Sequence, residues 1–110
     1  MFKKKTIYTK SEEYLQTIER IKEKMEYALE EAGSVKCLIK GSMIFRNDRT
    51  GCFHRITFVK GLASFVIESA MSQEEAEKNL FEDSGIYPFC IGEDNIIDEF
   101  KKDLYKYYID

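Results

Sequence analysis

The sequence predicts an α+β domain in the order αβββαα: a long N-terminal helix, a three-stranded antiparallel meander and two C-terminal helices. Three observations predict it. Apolar residues recur at alternating four- and three-residue steps as far as Gly33. From Val35 the period shortens to two and persists, across Gly-containing connections, to Ala70. A helical period then returns in two acidic segments.

The first helix is "YTKSEEYLQTIERIKEKMEYALEEAG", in which Tyr14, Ile18, Ile21, Met25, Ala28 and Ala32 share one face and Leu15 and Leu29 widen it. Thr9 or Ser11 is the expected cap, with Glu12 completing a capping box from Thr9, and Gly33 is the expected stop. "VKCLIKGSMIFR" then reads as one strand with Cys37, Ile39, Met43 and Phe45 on a common face. After "NDRTG", "CFHRITFVK" alternates His54, Ile56 and Phe58 with Phe53, Arg55, Thr57 and Val59. A turn at Lys60-Gly61 or Gly61-Leu62 leads into the third strand, "ASFVIESA". The long helix is expected to cover one face of this sheet.

"SQEEAEKNLF" opens a second helix with a Ser72–Glu75 capping box and places Ala76 and Leu80 on one side. "EDSGIYPFCIG" reads as irregular, since Asp83, Ser84 and Gly85 form turns and Pro88 holds Tyr87 extended. "EDNIIDEFKKDLYKYYID" is the last helix, capped by Asp94, with Ile97, Phe100, Leu104 and Tyr107 or Tyr108 as its apolar stripe.

A chain of 110 residues that is 44% hydrophobic needs neither disulfide nor metal to fold as a single domain, residues 1–110. Cys37, Cys52 and Cys90 are widely spaced, no CxxC occurs, and one histidine does not complete a common zinc site. Free thiols in a reducing cytosol are the expectation. "MFKKKTIYTKSEEY" has no apolar core after its lysines, so no signal peptide is expected. No run approaches the ~18 apolar residues of a membrane span. A cytoplasmic protein with no metal or cofactor is expected. A composition rich in Lys, Ile, Tyr and Glu without Trp fits an AT-rich bacterial or phage genome.

The net charge of −3 conceals an asymmetry. Residues 1–67 carry 13 basic and 8 acidic side chains, whereas residues 68–110 carry 4 basic and 12 acidic ones. Such an acidic half repels phosphate backbones and favours a basic partner surface.

The densest chemistry lies in "IFRNDRTGCFHRITFV", which holds the only histidine. Cys52 and His54 suggest a nucleophile and a base. In a strand, however, residues i and i+2 stand about 6–7 Å apart, beyond the hydrogen bond such a pair requires. The turn residues Asn47, Asp48, Thr50 and Gly51 answer to backbone geometry. Arg46, Arg49 and Arg55 match phosphate geometry, but nucleic-acid binding calls for a broader basic face than this acidic chain offers. No catalytic residue is assigned.

"FRNDRTGCFHRITFVKGLASFVIESA", followed by "EEAEKNLFED" and "YP", resembles small immunity proteins encoded beside bacterial polymorphic toxins. The likeness runs from Phe45 to Pro88, and its most specific part is "FRNDRTG" followed at a fixed distance by "VIESA". The resemblance implies a non-enzymatic cytoplasmic protein that binds and neutralises the toxic C-terminal domain of a cognate effector. It transfers no catalytic residues.

The expected partner is therefore a toxin domain with a basic surface, not nucleic acid or membrane, and the protein itself is expected to be a monomer or weak homodimer. The expected contact residues are Glu68, Glu74, Glu75, Glu82 and Asp83, Tyr87 as an aromatic anchor, and the hairpin rim Arg46, Asp48 and Arg49. The alternative function is a small phage-derived or regulatory inhibitor of a nucleic-acid enzyme.

Overall fold

A computed structural model describes residues 10–109. Helix α1 (Lys10–Glu31) ends in a Schellman arrangement: Ser34 N–H donates to Leu29 and Gly33 N–H to Glu30, with Gly33 at φ 107°. The proposed Thr9 cap and its capping box lie outside the described residues, and Ser11 sits inside the helix. Ile18, Ile21, Met25, Ala28 and Leu29 are buried, Tyr14 and Ala32 partly so, and Leu15 is exposed.

The three-stranded meander is incorrect: the sheet has five antiparallel strands, paired in chain order. They are β1 (Val35–Ile39), β2 (Ser42–Asn47), β3 (Cys52–Val59), β4 (Ser64–Ala70) and β5 (Glu82–Pro88). Two local facts account for the two extra strands. Lys40 (φ 51°) and Gly41 (φ 81°) both adopt left-handed backbone, the signature of a two-residue hairpin turn, and so divide the apparent first strand. Ile39 thus pairs with Ser42 and Cys37 with Ile44. Cys37 and Ile39 pack with Ile44 on one sheet face while Phe45 enters the core on the other, so the expected common face does not form.

The second extra strand is the segment read as irregular. Ser64 to Ser69 pair with Pro88 to Glu82, with a bulge between Ile67 and Glu68. Gly85 lies within β5 because another group comes close: a Cβ there would meet the Tyr108 hydroxyl at 1.9 Å.

β3 alternates as expected, with His54, Ile56 and Phe58 toward the helices. A 3-10 turn at Lys60–Leu62 and left-handed Ala63 connect it to β4. Helix α2 (Gln73–Glu77) is capped by Ser72, whose hydroxyl accepts from Glu75 N–H; the Glu75 carboxylate in turn takes Met71 N–H. It ends before Leu80, which is exposed. Helix α3 (Glu93–Asp103) begins at Gly92, with no side-chain cap, so Asp94 lies in its first turn and does not cap it. A π-helical turn, Leu104–Tyr108, completes the described chain. Its stripe is Ile96, Phe100, Leu104 and Tyr108, with Ile97 at the margin and Tyr107 exposed.

α1, α3 and the π-turn cover one face of the sheet and enclose Phe45, Ile56, Phe65, Ile67 and Tyr87. Each large side chain removed from water there contributes about 1.5–3 kcal/mol. Tyr14 meets the edges of Phe58 and Phe89. α1 and α3 are also tied by Glu93, which accepts from Arg20 (2.7 Å) and pairs with Lys24. These bonds hold the Glu93 carboxyl at about 2. The smaller α2 caps Ile44, Phe53 and Ala70 on the opposite face.

Candidate functional site

Cys52 and His54 do not form a pair. Cys52 Sγ contacts Met71 Sδ at 4.0 Å, while His54 is buried among other partners. Its Nε2 lies 3.1 Å from the Tyr108 carbonyl, and its Nδ1 lies 2.7 Å from Ser69 Oγ. A carbonyl only accepts, so Nε2 carries the proton and, in the neutral ring, Nδ1 accepts from the Ser69 hydroxyl. Burial pushes the imidazole below its usual pKa, partly offset by the bond to Tyr108.

Asn47 performs a parallel task. Its Nδ2 donates to the carbonyls of Tyr108 (3.1 Å) and Ile109 (3.0 Å), and its Oδ1 accepts from Arg49 N–H across the turn. Carbonyls at a helix C-terminus lack intrahelical partners. Asn47 and His54 supply them here, so two residues of "IFRNDRTGCFHRITFV" clamp the C-terminal turn onto the sheet. Nearby, Tyr87 donates to Asp103 (2.6 Å) and accepts from Tyr108 (3.0 Å). Desolvation, then these hydrogen bonds, raises the Tyr87 pKa far above the usual tyrosine range. Tyr87 is thus buried inside the fold, and the expected surface anchor is not at the surface.

Ser69 has the hydrogen bond to an imidazole that Cys52 lacks, a pairing across β3 and β4 that sequence spacing does not show. Its chemistry is unfavourable for acyl transfer. Ser69 Oγ is also 2.7 Å from Ser84 Oγ, which donates toward the Ile67 carbonyl. The surface beside it carries Glu75, Glu82 and Asp83, and carboxylates oppose the negative charge that develops on a tetrahedral oxyanion.

Those carboxylates belong to a surface depression of about 530 Å³ between α2 and β5. Met71, Leu80 and Phe81 supply its apolar lining, with Ser69 and Ser84 at one side. Met71 is 69% exposed and Leu80 56%. Phe81 is held from behind by Arg55, whose guanidinium carbon lies 3.9 Å from the ring centroid. Neither Glu82 nor Asp83 forms an ion pair with a described residue. Apolar surface ringed by charge is the anatomy of a protein interface.

The other expected contact residues are elsewhere. Glu68 is half-buried and bound by Arg55 (3.0 Å) and Thr57 (2.8 Å), which hold its carboxyl below the usual range against the desolvation that raises it. Glu74 pairs with Lys78 at 2.9 Å on the exposed side of α2, facing away toward the β1–β2 hairpin. Arg46 pairs with Asp48 at the β2–β3 turn, and Arg49 shares that turn. The fold therefore brings together three of the expected residues, Glu75, Glu82 and Asp83. It adds Met71, Leu80 and Phe81, which sequence reasoning omitted. Leu80 was legible only as part of a helical stripe, and its exposure follows from the early end of α2.

Among the described residues no helix is long and apolar enough to cross a membrane, and no group of three or more His, Cys, Asp or Glu is placed to hold a metal ion. Comparison with protein-family models, with curated proteins and with solved structures returns no match to this chain.

Proposed function

We propose that this chain is a cytoplasmic immunity protein, a non-enzymatic inhibitor that captures the toxic domain of a cognate bacterial effector. The observation that carries this reading is the α2–β5 depression: exposed Met71 and Leu80 beside Phe81, rimmed by Glu75, Glu82 and Asp83. A basic element of the toxin tipped with an apolar side chain fits that surface. The apolar tip displaces water from the lining, and the carboxylates attract the flanking cations. Electrostatic attraction of this kind speeds association and selects against acidic partners.

The test is co-expression with the toxin encoded beside this gene, followed by binding kinetics. The wild-type chain is expected to rescue growth. Glu82→Lys combined with Asp83→Lys is expected to slow association about tenfold and remove most of its salt dependence. Leu80→Ser is expected to speed dissociation while leaving the unfolding midpoint in place. Full rescue and unchanged kinetics in all these variants would remove the depression as the contact surface. Failure of wild-type rescue would remove the immunity reading itself. The acidic rim also suits the phosphate-binding groove of a nucleic-acid enzyme, and inhibition of such an enzyme in place of toxin rescue would favour that alternative.

A further inference from the structure

Among the described residues the opposite edge of the sheet has no partner strand. β1 pairs with β2, and its exposed face presents Leu38, 68% exposed, beside the partly exposed Met43, with Val35 also at the surface. The two-residue Lys40-Gly41 turn fixes which backbone groups are free. Ile39 flanks the turn opposite Ser42 in a hydrogen-bonded pair, so Cys37 and Val35 also bond inward to β2. The N–H and C=O groups of Lys36 and Leu38 therefore point outward along the edge.

We propose that β1 pairs antiparallel with β1 of a second copy, across a two-fold axis at Cys37, to form a weak homodimer with a continuous ten-stranded sheet. The register follows from the groups just named. Only even-numbered residues offer outward bonds, so even-numbered residues must face even-numbered ones. Centring the axis on Lys36 opposes Lys36 to Lys36, and centring it on Leu38 opposes Lys36 to Lys40. Centring it on Cys37 faces Lys36 with Leu38 of the other copy and Val35 with Ile39. That register pairs all five residues of β1, places no lysine opposite another, and lays an aliphatic lysine stem over each Leu38.

A strand pair of this length falls short of the roughly 1,200 Å² of a standard specific interface, so the dimer forms only at high concentration. The site goes beyond the proposed inhibitory surface and lies across the sheet from the α2–β5 depression proposed for the toxin.

The same register makes Cys37 a reporter. It occupies a non-hydrogen-bonded position, where facing Cα atoms are about 4.5 Å apart, inside the range of about 4.4–6.8 Å that a disulfide spans. The thiol is partly exposed and donates to the Ile44 carbonyl at 3.4 Å. In a Cys52→Ser/Cys90→Ser variant, diamide should join two chains through Cys37. Each thiol gives up one hydrogen, the S–S bond forms, and diamide takes both hydrogens to become the hydrazine. Sedimentation equilibrium should show a concentration-dependent dimer, and peptide mapping should show a Cys37–Cys37 bridge.

Leu38→Pro removes an outward donor that β2 does not use, and Leu38→Lys sets charge against Lys36; each should abolish the dimer and slow the bridge at least tenfold, with unchanged circular dichroism. A monomer at millimolar concentration, a dimer that forms no Cys37 bridge, or one that survives both Leu38 variants would overturn the proposal.

Discussion

The helix-covered face of the sheet and the α2–β5 corner use similar side chains to opposite ends. Beneath α1 and α3, Phe45, Phe65 and Phe100 are fully enclosed, and the polar groups among them are matched: Asn47 and His54 to backbone carbonyls, Tyr87 to Asp103 and Tyr108. At the α2–β5 corner, Met71 and Leu80 stand in water, and Glu82 and Asp83 form no ion pair with a described residue. Buried polar groups need partners to offset lost hydration, whereas solvated carboxylates need none. The first region therefore carries stability. The second contributes little to stability, which leaves its side chains free for the proposed contact.

The largest effect that separates the two regions is expected from Phe45→Ala, which empties a fully enclosed site and should cost about 3–5 kcal/mol in urea unfolding. A cost below about 1 kcal/mol would mean that the helices do not close over this face. Next comes Asn47→Ala, which strips the donor shared by Tyr108 and Ile109 and is expected to cost about 1–3 kcal/mol. Hydrogen exchange should show the loss concentrated in residues 104–109; loss spread evenly over the sheet would contradict the clamp.

A smaller effect is set by His54, whose folded pKa lies below the ordinary 6.5 because burial penalises the charged ring. Below about pH 6.5 the unfolded chain binds the proton more readily than the folded one. The contribution of His54 is thus present above that pH and is lost as pH falls toward the folded value. The urea midpoint should drop between pH 7.5 and 5.5, and His54→Gln should flatten that dependence. Smallest of all, the Glu82/Asp83 reversal should shift stability by no more than about 0.5 kcal/mol, since it changes only solvated groups.

Most of the helical content was legible because it rests on local rules. The 3.6-residue stripe from Ile18 to Leu29, the Gly33 stop and the Ser72 cap each depend on neighbours a few residues away. The alternation of His54, Ile56 and Phe58 was equally plain. The strand count was not. "LIKGSM" reads as one alternating run unless Lys40 is allowed a left-handed backbone, and "EDSGIYP" carries the marks of a turn. It becomes a strand because β4 offers an open edge and Gly85 makes room for Tyr108. Of the candidate site, the acidic residues were visible as composition, but not which of them would meet.

By itself the sequence determined the helices, the β3 alternation and the charge imbalance, all of which follow from the chemistry of near neighbours. Only the tertiary structure decided that His54 and Asn47 hold the C-terminal turn, that Tyr87 is internal, and that Glu75, Glu82 and Asp83 share one surface with Met71 and Leu80. Each of these depends on contacts between distant segments. Their alignment is set by strand register and by how far α2 extends, which no local spacing encodes.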